Sequence, residues 1–185
     1  SAREVVDRLS AEPRGLVRVS APVALAQNQL SRLLPDFLAA HPKVRIQLHA
    51  SNRRVDVINE GFDIALRVRS HLGDDGSLVM RSFGQIQELL VASPAFLKRE
   101  GRPTQPQQLR DLATLSMSED EGRQRWELQG PGDVVEKVDI QPRLMCSDFP
   151  TLAQAAAAGL GIALLPETIC AEAVRSGALE VVLPD

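Results

Sequence analysis

Ala155-Ala156-Ala157-Ala158-Gly159-Leu160-Gly161-Ile162-Ala163-Leu164-Leu165-Pro166 is the stretch on which the fold turns. The alanines read as the end of a helix, glycine as its stop, and the apolar run as a short strand closed by proline. A strand with no polar face implies a sheet covered on both sides, and hence an α/β architecture. The order excludes a dinucleotide fingerprint, which needs strand, glycines and then helix, with a third glycine that is missing here. Gly159 is expected to end its helix in the left-handed conformation that glycine adopts at little cost.

Working outward, the chain has 185 residues, enough for one large domain or two small lobes. Apolar residues make up 44%, but aromatics only 3% with no tyrosine, so the core must be built from Leu, Val, Ile and Ala. A formal charge of −3 argues against this segment gripping a polyanion by itself. The two cysteines, Cys146 and Cys170, are too few for a disulfide framework and are read as free thiols. No apolar stretch approaches the roughly 20 residues that span a bilayer, and the start of the chain lacks a signal-peptide core, so a reducing cytoplasm is expected.

Along the chain, residues 1–12 read as an amphipathic helical stub. Leu16–Ser20 alternates as a strand, and Ala21-Pro22 opens a helical run to His41, with Ser20 or Ala21 as its cap. Leu30, Leu33, Leu34, Phe37 and Leu38 form the expected buried face, and Pro35 predicts a kink or restart. Val44–Ala50 is a strand, Asn52–Glu60 a short helix, and Phe62–Val68 a strand with alternate residues on one face. This strand–helix alternation is that of βαβ units. The loop from Ser70 to Gly76 follows. In the second half, Gln85–Ala92 is a strand, Ser93-Pro94 opens a helix ended by Gly101, and Thr104–Leu112 is weakly helical. Thr114–Ser118 and Arg143–Cys146 read as strands. Arg125–Gln129 and Val134–Ile140 flank a Gly-Pro-Gly-Asp turn as a hairpin. Ser147-Asp148-Phe149-Pro150 opens the alanine-rich helix; Ile162–Leu165, a helix over Glu167–Ser176 and a strand over Leu179–Leu183 complete the pattern.

The ordered set of segments resembles the effector-binding domain of LysR-type transcriptional regulators. The matching pieces are Gly15-Leu16-Val17-Arg18-Val19-Ser20-Ala21-Pro22, Leu34-Pro35-Asp36-Phe37-Leu38 with His41-Pro42, and Gly61-Phe62-Asp63-Ile64-Ala65-Leu66-Arg67. They continue with Leu90–Leu97, Trp126, Ala158–Pro166 and Gly177–Pro184, colinear over residues 14–185. The resemblance implies an α/β fold of two Rossmann-like lobes joined by two crossovers, similar to type 2 periplasmic solute-binding proteins. Crossings near Glu88–Ala92 and Ala163–Glu167 would give a first lobe of residues 14–88 plus 166–185 and a second of 89–165. Residues 1–13 would end a linker helix from an upstream winged helix-turn-helix, through which alone DNA would be bound. Family members pair as dimers that join into tetramers, and residues of the first helix or the Arg45–Leu48 strand are candidate pairing surfaces. Relatives usually continue beyond Leu183-Pro184. Many carry a His-Glu-Cys-like segment where this chain has Asp111–Leu115, so their ligand preference does not carry over.

In open α/β sheets ligands occupy the crevice beyond the C-terminal ends of strands. Applied here, the rule names Ser20, Ala21, Pro22, Val23, Ser51, Asn52, Arg67, Val68 and Arg69 from the first lobe. From the second it names Ser116, Ser118, Ser147, Asp148 and Phe149. Helix-opening turns favour an anion, and Arg67 or Arg69 supplies a bidentate partner for a carboxylate. The expected effector is thus a small organic acid held between the lobes, with Ser20 and Ser147 donating hydrogen bonds. Competing readings make Ser20 and Ser147 helix caps, pair Arg67 with a surface acid, and make Asp148 the cap of its own helix.

No cofactor, metal site or catalytic residue is expected. His41, His49 and His71 are not spaced as metal ligands, the cysteines form no CxxC, and no Gly-x-Ser-x-Gly elbow or phosphate loop occurs. Cys146 has no evident base to activate it. Glu119-Asp120-Glu121 reads as an exposed loop. The alternatives left open are a solute-binding protein of a transport system and an enzyme on the same bilobal fold.

Overall fold

Ile162–Pro166 (β9) is a strand with an apolar residue at every position, and its two faces enter two different cores. Ile162 and Leu164 point to a cluster with Leu90, Phe96, Leu109, Trp126, Val138 and Ile140. Ala163 and Leu165 point to another, with Val91, Leu115, Leu152, Ala156, Cys170 and Leu179. Period-two alternation with both sides apolar is what a sheet covered on both faces requires. The computed structural model describes residues 12–69, 78–118 and 123–184. The expected stub over residues 1–11, the loop from Ser70 to Gly76 with His71, and Glu119-Asp120-Glu121 lie outside the described residues.

The chain divides into two contiguous units, residues 1–80 and 81–185. The first holds a parallel sheet ordered β2-β1-β3, from Gly15–Ala21 (β1), Val44–Ala50 (β2) and Ile64–Ala65 (β3). Val23–Leu25 (α1), a π-helical Ala26–Leu30 and Ser31–Ala40 (α2) connect β1 to β2. The kink or restart expected at Pro35 gives way to a break upstream: α2 runs from Ser31 to Ala40 with Pro35 inside it. The π-turn precedes Ser31, and side chains take up carbonyls there: Asn28 Nδ2 donates to Ala24 O at 2.9 Å and Ser31 Oγ to Gln27 O at 2.5 Å.

Three expectations for this unit need correction. No residue of α2 is buried, so the apolar face from Leu30 to Leu38 is not a core face; Leu33 is 63% exposed. Asn52–Glu60 is a set of turns, because side chains capture the amides a helix would use: Asp56 accepts from the Asn59 N–H and Glu60 from the Asp56 N–H. Only Ile64 and Ala65 of the strand expected over Phe62–Val68 pair with β1, opposite Val19 and Ser20.

The second unit holds a mixed sheet ordered β10-β4-β9-β5-β8. Its strands are Glu88–Ala92 (β4), Thr114–Met117 (β5), Leu144–Cys146 (β8), β9 and Glu180–Val181 (β10). β9–β5 and β5–β8 are parallel, β4–β9 and β10–β4 antiparallel. Gln124–Gln129 (β6) and Val135–Ile140 (β7) form the expected hairpin, carrying Trp126 into the first cluster. Pro94–Glu100 (α3) is capped by Ser93, whose Oγ accepts from the Phe96 N–H at 3.1 Å. Phe149–Ala157 (α4) and Glu167–Arg175 (α5) carry the second cluster.

The expected lobe boundaries differ from this division. Residues 166–185 were expected with the first lobe, but Glu180 and Val181 pair with Ala92 and Val91, and Cys170 and Leu179 lie in the second unit's core. The anticipated crossing segments, β4 and β9, are adjacent antiparallel strands of one sheet. The final strand is short because Leu183 takes φ 51° ahead of Pro184, which ends the extended run.

The motif quoted first has two glycines with different duties. Gly159, at φ 82°, closes α4 in a Schellman arrangement: its N–H donates to Ala156 O and that of Leu160 to Ala155 O, at 3.0 and 3.1 Å. At Gly161 a Cβ would stand 2.7 Å from the Ala113 carbonyl oxygen, which also receives the Ile162 N–H. Gly161→Ala is expected to destabilise the second unit by about 1–3 kcal/mol through overpacking, and Leu165→Ala by about 2–5 kcal/mol through a cavity. Urea unfolding followed by the fluorescence of Trp126, the chain's one tryptophan, checks both.

Candidate functional site

In the first unit the C-terminal ends of β1, β2 and β3 come together through backbone bonds. Ser51 N–H donates to Ala21 O at 2.9 Å and Leu66 N–H to Ser20 O at 2.8 Å. Ser20 is fully buried, and its hydroxyl accepts a hydrogen bond from Arg67 Nη2 at 3.1 Å. Arg67 Nη1 donates to the Leu66 carbonyl at 2.5 Å. The Val23 N–H at the start of α1 is met by Asn52 Oδ1 at 3.1 Å, and Ser51 Oγ accepts from the Arg53 N–H.

This geometry decides between the competing readings of Ser20. The N-cap of α1 is Pro22, which offers no side-chain bond, and Asn52 takes the Val23 amide, so Ser20 does not serve as a helix cap; it holds Arg67. Among the described residues Arg67 makes no ion pair with a surface acid. Its hydrogen bonds there go to a carbonyl and a hydroxyl, neither of them charged. Burial, followed by the charges of Arg69 and Arg54, pushes the Arg67 guanidinium below its usual value, with Glu60 opposing weakly. A half-buried cation crowded by two others is stabilised by any anion that reaches it. Arg54 was not anticipated from the sequence, because it falls in a segment read as helix. Ala21 is buried, Pro22 and Val23 half-buried, and Val68 and Arg69 exposed.

In the second unit, Ser116 is 4% exposed and its hydroxyl donates to Gln124 Oε1 of the hairpin. The Ser118 N–H donates to Cys146 O at 3.1 Å, tying the end of β5 to β8. The cap of α4 is Asp148, not Ser147: its Oδ2 accepts from Thr151 N–H at 2.9 Å and from Thr151 Oγ1 at 2.6 Å. Those bonds hold the Asp148 carboxyl below its usual value, the hydroxyl contributing most. Phe149 is half-buried against the second core. Cys146 and Cys170 are both free, and burial pushes the Cys170 thiol up. No helix among the described residues is long and apolar enough to cross a membrane.

The family described as "LysR substrate binding domain" matches residues 10–185. A relative named as an HTH-type transcriptional regulator from Xanthomonas campestris pv. campestris is 30% identical over 186 residues, covering 98% of this chain and 53% of its own. The full-length structure of the Vibrio cholerae virulence activator AphB superposes with TM-score 0.77 at 27% identity, covering all of this chain and 61% of that one. The regulatory domain of the Neisseria meningitidis regulator CrgA superposes with TM-score 0.69 at 25% identity, over 92% of this chain and 82% of that one. The chain thus spans about half to three-fifths of the length of the full-length relatives. These relatives are regulators, and a transport role is not favoured.

Asp148 sets an acid dependence with a definite sign. Its folded-state value is depressed, so its contribution is present above the usual aspartate value of 3.8 and is lost as pH falls through the folded value. Asp148→Asn is expected to be less stable than the unmodified chain near neutrality, where the carboxylate contributes, and to converge with it as pH falls through the folded value, which flattens the acid limb. Thermal melts of both proteins across the acid range check it.

Proposed function

Because the chain belongs to the LysR substrate-binding-domain family, with its type 2 periplasmic-binding-protein-like α/β fold, we propose that it senses a small anionic metabolite. The Ser20–Arg67 pair at the C-terminal ends of the first unit's strands is the anchor of this reading. The observation that carries it is the state of Arg67: half-buried, repelled by Arg69 and Arg54, and bonded only to neutral groups among the described residues. A carboxylate arriving there forms a charge-assisted, bidentate-capable pair. The Ser20 hydroxyl, which accepts from Arg67, keeps its own proton for a ligand oxygen. Asn52 and the Val23 amide border the same strand ends. Ser116, Ser118, Ser147, Asp148 and Phe149 remain proposed contributors from the second unit.

In the whole protein this segment would act with a DNA-binding helix-turn-helix, as the names of the relatives suggest. The ligand would favour one preexisting arrangement of the regulator over another, which requires that it bind the two with different affinity. Pairing into dimers or tetramers and a cytoplasmic setting belong to the same proposal. The regulator names favour sensing over turnover, so no enzymatic activity is assigned.

Calorimetric titration with acetate, succinate, benzoate and inorganic phosphate tests the anchor. At least one carboxylate is expected to bind, and Arg67→Ala to weaken it about tenfold or more, the worth of a charge-assisted hydrogen bond. Ser20→Ala should weaken it less. Unchanged affinity in both variants would remove the pair from the site.

A further inference from the structure

Arg67 is placed by a strand that can barely place it. β3 offers two residues to β1, so the ladder fixes Ile64 and Ala65 and little beyond. What holds the approach to that strand is Arg18, on β1. Its Nη1 donates to the Gly61 carbonyl at 2.9 Å and to the Glu60 carbonyl at 3.4 Å, and its Nε donates to Gln47 Oε1 of β2 at 3.0 Å. Its guanidinium carbon lies 5.4 Å from the centre of the Phe62 ring. The backbone beneath repeats the attachment: Arg18 N–H donates to Asp63 Oδ2 at 2.7 Å, and Asp63 N–H to Arg18 O at 2.9 Å.

From this convergence we infer that Arg18 is a positioning residue, whose grip on Glu60–Asp63 sets the register that delivers the Arg67 guanidinium to Ser20. The chain from Gly61 to Arg67 is short. Arg18 fixes its first three residues, and Val19 and Ser20 fix Ile64, Ala65 and the Leu66 amide. Ser20 Oγ then receives Arg67. A lysine at position 18 would keep the charge but lose the fork, since one ammonium cannot span Gln47, Glu60 and Gly61 as Nε and Nη1 do. Gly61 is tuned to the same contact. It sits at φ 69°, and a Cβ on it would stand 2.9 Å from Arg18 Nη1. The backbone conformation and the absence of a side chain both serve the approach of Arg18 to the carbonyl.

This role rests on reading Arg67 as the anion anchor, and the test separates the two. The side-chain motion of Arg67 is read without ligand, by nitrogen-15 relaxation and guanidinium rotation in the labelled chain, with signals assigned through Arg67→Lys. In Arg18→Gln and Arg18→Lys, the Arg67 rotation is expected to accelerate about tenfold, as for loss of one charge-assisted bond. The amides of β1 and β2 should stay dispersed, which a general loss of structure would not allow. Restrained Arg67 in both variants overturns the inference, whatever any anion does. Should either variant lose its dispersed spectrum, Gln47→Ala decides. It removes only the partner of Nε on an exposed strand position: faster Arg67 motion supports the role, and unchanged motion overturns it. Succinate titration of the same proteins reads the anchor separately. If Arg67 loosens in the variants but no carboxylate binds the unmodified chain, Arg18 still positions Arg67 and the anion reading is what fails.

Discussion

β9 has no side that can face water, and the second unit is organised around that fact. Its odd and even positions supply two cores, one closed by the hairpin and the 3-10 turn over Pro106–Asp111, the other by α4 and α5. To lie beside β5, the chain must pass the Ala113 carbonyl at a distance that leaves no room for a methyl group, hence Gly161. To enter that strand from α4 it must reverse direction within a few residues, hence Gly159 in the left-handed region. Arg99 adds a bond to the Gly159 carbonyl at 2.9 Å, tying α3 to this corner. Burial of both faces and close backbone approach are one constraint seen from two sides: a central strand can be tightly flanked only if its entry is small.

The first unit is held differently. Its three-stranded sheet buries few large side chains, and α2 buries none of its own. Polar bonds take over much of the work of fixing the backbone. Arg18 anchors one loop, Asp56 and Glu60 organise the turns, and Asn52 meets the first amide of α1. Directional bonds of this kind specify geometry at modest net stability, about 1 kcal/mol each in typical cases. That suits a place where charged groups must be aimed rather than merely buried.

Elements defined by apolar period or by glycine and proline were legible in the sequence. Val44–Ala50 appears with the expected bounds, Ser93-Pro94 caps α3, and Gly159 ends α4 as the inverted order of glycine and strand required. What failed were segments whose fate depends on who covers them. Leu33 and Phe37 lie on a good helical stripe, yet the stripe is exposed, because periodicity reports which residues share a face and not whether anything packs there. Asn52–Glu60 has helical spacing but is rich in side chains that compete for its amides. The allocation of residues 166–185 turned on which sheet β10 joins, a long-range pairing that local pattern does not encode. At the site, position along the fold named Ser20 and Arg67 but not that they bond to each other. Neither Arg18 nor Arg54 carried a signal separating it from other surface arginines.

The pairing of Ser20 with Arg67 therefore has a thermodynamic meaning beyond a contact. Burying Ser20 completely while Arg67 stays half-exposed puts the polar end of a buried strand in touch with a cation at the rim. On the proposed reading, an anion bound to Arg67 would relieve repulsion from Arg69 and Arg54 and would strengthen the hold of Leu66–Arg67 on β1. By linkage, whatever the ligand gains from the ordered loop the loop gains from the ligand, in the amount RT ln(1 + [L]/Kd). A unit held together mainly by directional bonds is the one in which such a gain is felt as a change of structure, because few buried side chains resist it. On the proposed reading the anion anchor belongs to the polar unit, and the sequence difference between Ser20-Ala21-Pro22 and Ile162-Ala163-Leu164 is where the two kinds of unit part.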